Sequence, residues 1–242
     1  MFDLRLSPRT VIVALGIVFL LSIPLGAQQT YVTRFDAYAG YAFLNSPHIG
    51  LFENGMAAQF GVRPRTWYSF GLDYSFSQGD LALTPELLPA GKQASLSALF
   101  GQLSAAHQLP PGYALTIPAR SRTQTFAVGP QLAYRHFEKA TLFLRPVFAG
   151  AIHELATPHP GDAIAAVVVS QLAPNGTKTD TAGFVGFGGG FDVIVSRHFS
   201  LRTQADVVYD HLFNDLLKDG RWTVRFSVGP AFNFGKNIAG PK

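Results

Sequence analysis

After residue 33 this chain repeats one pattern eight times: large apolar side chains alternate with small or polar ones. Successive side chains on a strand point to opposite faces, so period-two alternation marks a strand with two unlike faces. Trp67 to Phe76 shows it most cleanly, with Tyr68, Phe70, Leu72, Tyr74 and Phe76 against Trp67, Ser69, Gly71, Asp73 and Ser75. The same reading applies to Arg34 to Phe43, Gly55 to Arg63, Thr125 to Arg135, Thr141 to His153, Gly183 to Val195, Phe199 to Asp210 and Trp222 to Phe234. Each segment has about 9–13 residues, long enough for a tilted strand to cross a bilayer.

Alternation does not say which face is buried. In a soluble barrel the apolar face lies inside. Here that face carries many large rings, and the other is rich in Gly, Ala and Ser with both signs of charge. Small residues and opposed charges suit the narrow lumen of an eight-stranded barrel, which side chains fill. Charged residues are only 14% of the chain, against roughly 25% in soluble domains. A lipid-facing surface explains the deficit. An even strand number closes a sheet and leaves no unpaired edge in lipid. The fold class expected is therefore all-β: an eight-stranded antiparallel transmembrane up-and-down β-barrel.

That model makes specific assignments. Arg34, Asp36, Asp73, Arg135, Arg145, Asp192, Arg202, Asp206, Asp210 and Arg225 point inward and form a charge network, because buried charges need partners. In the Thr141 to His153 strand, Leu142, Leu144, Phe148 and Ile152 are placed outside and Thr141, Arg145, Ala149 and His153 inside. Pro130, Pro146 and Pro230 fall on the outer face and mark bulges or breaks, since proline cannot donate to a ladder.

Link lengths add independent support. Short links at Pro64-Arg65-Thr66, Phe137-Glu138-Lys139 and Ser196-Arg197-His198 alternate with long ones at Leu44 to Asn54, Ser77 to Gln124, Glu154 to Ala182 and His211 to Arg221. Outer-membrane barrels pair short periplasmic turns with long extracellular loops. Both chain ends then lie in the periplasm. In the extracellular loop 77–124, Leu96, Leu99, Phe100, Leu103 and Ala106 recur at helical spacing between Pro89 and Pro110-Pro111, which predicts a short amphipathic helix. In the loop 154–182, the apolar run Ala163 to Val169 is expected to extend its flanking strands as a hairpin.

The first 27 residues have the layout of a secretory signal peptide. Arg5 and Arg9 precede the apolar run Thr10 to Ile23, Pro24 ends it, and Leu25-Gly26-Ala27 offers a cleavage site. The run is shorter than the roughly 20 residues a spanning helix needs. Cleavage leaves residues 28–242 as the barrel domain, with a short periplasmic tail at 235–242. It removes two cations and one acid, Asp3, so the net charge falls from +4 to +3. That charge is too small and too scattered to indicate nucleic acid. No cysteine is present, which excludes disulfides, thiolate metal sites and thiol nucleophiles.

The last strand matches an outer-membrane assembly signal: Ser227-Val228-Gly229-Pro230-Ala231-Phe232-Asn233-Phe234, with Ser227, Gly229, Phe232 and Phe234 in the pattern positions. With Gly129-Pro130 and Gly186-Phe187-Gly188-Gly189-Gly190-Phe191-Asp192, it makes the mature chain resemble small outer-membrane barrels of the outer-membrane protein A transmembrane-domain and opacity-protein type. The resemblance implies a Gram-negative-type outer membrane, with its lipid and lipopolysaccharide as surroundings. It also implies periplasmic chaperones and the barrel-assembly machinery as partners in biogenesis. The family's roles are heterogeneous.

Some eight-stranded barrels modify lipid A with a His, a Ser and an acid. His153-Glu154, Asp210-His211, Ser104 and His107 are the residues of that type here. Neighbours on a strand point to opposite faces, so neither His–acid pair forms a natural dyad. His48, His107, His153, His159 and His211 gather near the outer rim, but their spacings match no metal motif. The glycines at 186–190 lack the strand–loop–helix setting of a phosphate cradle and suit close packing in a narrow barrel. Asn175-Gly176-Thr177 reads as a turn. No catalytic, cofactor or metal residue is assigned. The function expected is a non-enzymatic structural or surface-interaction role through the loops, where a surface partner would bind. A narrow pore or small-solute-binding barrel is the alternative, and a lipid A-modifying enzyme the second alternative.

Overall fold

A computed structural model describes residues 29–239. The expected signal segment 1–27 and the final residues of the expected tail lie outside them. Eight strands form one closed antiparallel barrel in chain order: β1 Thr33–Ser46, β2 Leu51–Arg65, β3 Tyr68–Leu83, β4 Ile117–Tyr134, β5 Ala140–Pro158, β6 Lys178–Ile194, β7 Phe199–Asp210 and β8 Arg221–Asn237. β1 pairs with β8, as in Phe43 with Phe226, and closes the sheet.

Burial alternates along the strands. On β8, Arg221, Thr223, Arg225, Ser227, Gly229 and Ala231 are buried, while Trp222, Val224, Phe226 and Phe232 are exposed. Exposed apolar residues surround the barrel, among them Tyr41, Met56, Phe70, Phe126, Phe187 and Leu201. A belt of this extent far exceeds the apolar patches that water-soluble monomers expose. Its charges are inside and its rings outside, the inverse of a soluble barrel. The medium that covers such a belt is lipid.

All eight expected strands form, and most run longer than the alternation of apolar rings suggested. The ladder continues past the belt with polar residues facing out. On β4, Ile117, Ala119, Ser121 and Thr123 point inward while Arg120, Arg122 and Gln124 are exposed. The link 77–124 thus narrows to residues 84–116, and the link 154–182 to residues 159–177. At the other end β8 enters the expected tail and stops at Asn237.

Two inner-face assignments are corrected. Arg34 is exposed and Thr33 is buried in its stead, while Asp36 is buried as expected. The register of β1 against β8 slips between Thr33 and Phe35, which turns Arg34 outward. In β5 the register slips between Arg145 and Phe148 against β6, and β4 slips against β5 between Val128 and Leu132. Pro130 and Pro146 sit in these slips, where the ladder lacks their donors. Pro146 and Val147 both face out, so the phase of β5 reverses: Phe148, Ile152 and Glu154 point inward, and Ala149 and His153 outward. Pro230, by contrast, keeps the register of β7 against β8.

The loop helix expected around Leu96 is present as α1, Ala90–Ala105. The run 163–169 is not a hairpin but lies in a second helix, α2, Ala163–Leu172. Asp162 decides this: its carboxylate accepts from the Ala165 N–H at 2.7 Å and caps the helix. Ala165, Val168, Val169 and Leu172 then share one buried stripe at i, i+3, i+4 and i+7. Asn175-Gly176 does make the expected turn, with Gly176 at φ +74° donating to the Ala173 carbonyl.

Candidate functional site

The lumen is filled by stacked polar layers. Nearest the short turns, Asp36 on β1 accepts from Arg63 on β2 at 3.1 Å and from Arg202 on β7 at 3.0 Å. Arg202 also makes a two-pronged bond to Asp192 on β6, at 2.8 and 3.0 Å. One level up, Asp73 on β3 and Asp206 on β7 share Arg225 on β8 and Arg145 on β5, with contacts of 2.6–3.1 Å. Gln59 ties the two levels: it donates to Asp73 at 2.8 Å and to Gln204 at 2.9 Å, and accepts from Arg202 at 3.2 Å. A void of about 20 Å³ lies between the levels. That is room for about one water.

Above the second level the filling becomes apolar. Phe148, Ile152, Phe184 and Val208 pack with Ala127 and with the loop residues Leu212, Phe213 and Leu216. The Arg145 guanidinium lies 4.0 Å from the centre of the Phe148 ring, a cation–π contact that joins ion layer to plug. A third charged level follows, where Arg221 on β8 meets Glu154 on β5 at 2.7 Å and Asp210 on β7 at 2.9 Å. Ser121 donates to Glu154, and Thr123 to Glu53.

Of the ten residues expected in the network, Asp36, Asp73, Arg145, Asp192, Arg202, Asp206, Asp210 and Arg225 are buried and ion-paired. Arg34 faces out. Arg135 lies at the short-turn mouth and bonds only neutral acceptors among the described residues: the Thr66 carbonyl, Gln29 and Thr141. The residues missed are Arg63, Glu53, Glu154 and Arg221. Arg63 stood on the correct face of its strand. The other three lie where strands pass above the belt, and outward polar residues hide the alternation there.

The glycines at 186–190 make room for this filling. A Cβ on Gly186 would meet the Phe148 ring at 2.6 Å, and one on Gly188 would meet Asp206 Oδ1 at 2.2 Å. Of the assembly-signal residues, Ser227 is buried and Phe232 is exposed against Phe199, their ring centres 5.0 Å apart. Phe234 stacks on Phe35 across the β1–β8 seam at 5.7 Å. Gly229 lies at the same seam, where a Cβ would meet the Ala39 carbonyl at 2.3 Å.

The long loops close the other mouth. α1 and α2 join through Leu88, Leu96, Leu115, Ile117, Ala165, Val168 and Val169. Tyr113 donates to both oxygens of Asp162, at 3.0 and 2.9 Å. The Ala165 N–H, and to a lesser degree Tyr113, hold the Asp162 carboxyl below its usual range. Beneath α2 is a cavity of about 70 Å³ walled by Ile49, Leu83, Ile117, Leu172, Phe213 and Leu217. His153 points outward and bonds Thr181 at 2.7 Å, while Glu154 points inward. His211 packs on Tyr209, and Ser104 and His107 are exposed on the loop. The geometry therefore assembles neither His–acid pair into a dyad.

No family model matches the chain, and no curated protein does. Among solved structures it is similar to Ail, the attachment invasion locus protein of Yersinia pestis, in a complex with the heparin analogue sucrose octasulfate. Identity is 12%, the TM-score 0.47, and 84% of this chain and 99% of that one are covered. Neisserial surface protein A gives 11%, 0.45, and 86% and 100%. A major outer membrane protein from Thermus thermophilus gives 11%, 0.46, and 82% and 99%. The barrel assignment rests on the closed strand order and the inverted faces described above.

Proposed function

We propose that this chain is a non-enzymatic outer-membrane protein that acts through its outer cap. One observation carries the reading. The lumen is occupied at successive levels by ion pairs, by the Phe148 plug and by ion pairs again, so the surface left for a partner is the loop end. On this reading the segment 1–27 directs export and is removed. Short turns and both chain ends face the periplasm, and lipopolysaccharide surrounds the loop end. Ser227, Gly229, Phe232 and Phe234 present the last strand to the assembly machinery, delivered by periplasmic chaperones.

Recording the purified barrel in planar bilayers tests it. The expected trace is flat. Steady single-channel steps would overturn the packed lumen and favour the narrow pore. A second reading has its own support: the wall of the 70 Å³ cavity under α2 is almost wholly apolar, which suits a small apolar solute.

A further inference from the structure

The short-turn end carries an imbalance of charge. Arg34, Arg65, Lys139, Arg197 and Lys236 are exposed there, and Glu138 is the exposed acid at this end among the described residues. The long-loop end is mixed: Arg120, Arg122 and Lys218 are exposed beside Asp80, Glu86, Asp162, Asp215 and Asp219. Inside the short-turn mouth the imbalance continues. Arg63, Arg202 and Arg135 face two acids, Asp36 and Asp192, and both acids are taken by the first two. Arg135 is left with neutral acceptors.

Arg135 also borders a groove of about 290 Å³ whose wall includes Thr66, Trp67, Tyr134 and His136. Trp67 and Tyr134 are 58% and 55% exposed, and amphipathic rings of this kind sit at the headgroup level of a bilayer. His136 Nε2 is buried there with no hydrogen-bond partner among the described residues. The groove thus joins a guanidinium with no direct ion-pair partner among the described residues to the edge of the lipid belt. Cations at a membrane surface attract anionic lipid, and a guanidinium matches phosphate geometry.

We propose that this groove seats the headgroup phosphate of an anionic phospholipid on Arg135, with the exposed cations of the rim drawing such lipids to it. The proposal rests on the membrane-spanning reading. The occupant is a lipid rather than a free anion, because the groove opens beside rings that belong at the interface.

The chain has two tryptophans, Trp67 and Trp222. Trp67 lines the groove, and Trp222 lies at the opposite end of the barrel, next to Arg221 of the third ion level. Trp222→Phe therefore leaves a single reporter at the site. The folded protein is placed in vesicles of phosphatidylcholine doped with brominated phosphatidylglycerol or with brominated phosphatidylcholine, and quenching is read against mole fraction. Brominated phosphatidylglycerol is expected to quench Trp67 at a several-fold lower mole fraction. Arg135→Gln should remove the preference. Arg65→Gln with Lys139→Gln and Arg197→Gln, exposed positions that leave the lumen intact, should reduce it. Trp67→Phe, which leaves Trp222, should show none.

Equal quenching by the two lipids, or an unchanged preference in Arg135→Gln, overturns the proposal. So does loss of the preference in millimolar inorganic phosphate, which would make this a site for free anions. Failure of the spanning reading looks different: neither tryptophan would be quenched by any brominated lipid, and the folded band would not shift on heating.

Discussion

Arg225 on β8 reaches across the lumen to Asp73 on β3, 2.8 Å away, and also holds Asp206 on its neighbour β7 at 2.6 Å. All three are almost fully buried. Removing one member of a buried ion pair strands the others without water, at a cost of about 3–5 kcal/mol. Arg225→Leu is therefore expected to unfold at clearly lower urea in vesicles, followed by the heat-dependent band shift. Arg197→Leu, on the exposed rim, should leave the midpoint within error of the parent.

Phe148 and Gly186 form one packing unit, since the ring fills the space a Cβ would take. Phe148→Ala is expected to cost about 3–5 kcal/mol as a core cavity. Gly186→Ala alone should cost about 1–3 kcal/mol through overpacking. The double variant should fall short of the sum, because the new methyl enters the space the ring has left. Full additivity in urea melts would refute the coupling.

Asp162 gives the cap an acid limit. Its folded pKa lies below the ordinary Asp value, so the charged carboxylate stabilises α2 above about pH 4. That contribution fades as pH falls through the lower, folded value. Amide protection factors at Ala165 and Ala166, corrected for the intrinsic slowing of exchange in acid, should drop at pH below that point while strand amides stay protected. Asp162→Ala should show the lower protection already at neutral pH. An unchanged exchange profile would remove Asp162 as the cap.

Phe232 tests the terminal signal. Its ring faces lipid against Phe199, so Phe232→Ser leaves the ion layers untouched. Recovery in the outer-membrane fraction is expected to drop several-fold, while the variant refolded into detergent regains its heat-shifted band. Normal recovery would show that these ring positions do not guide assembly.

The strand count and the closed order were legible because lipid imposes one rule on every strand: rings out, small or charged residues in. Most of the ion network followed from that rule. It failed where lipid stops. Arg120 and Arg122 face water above the belt, so alternation of apolarity vanishes while the ladder continues, and the pattern does not place Glu53, Glu154 and Arg221 in the network. It failed again at Pro146, where one extra residue swaps the faces of β5. A proline permits such a slip but fixes neither its direction nor, as Pro230 shows, its occurrence. In the loops, Ala163 to Val169 carries residues of both strand and helix habit, and a single capping carboxylate outside the run decided between them.

The ion layers also constrain the order in which the barrel comes together. Asp73 arrives on β3, one partner arrives on β5, and Arg225 comes only with β8. A sheet lacking its last strand would hold an under-neutralised acid facing hydrocarbon. Such a half-built sheet needs shelter until the final strand is delivered. Closure is then the step that both seals the backbone edge and completes neutralisation, so partly inserted forms have no resting place in the bilayer.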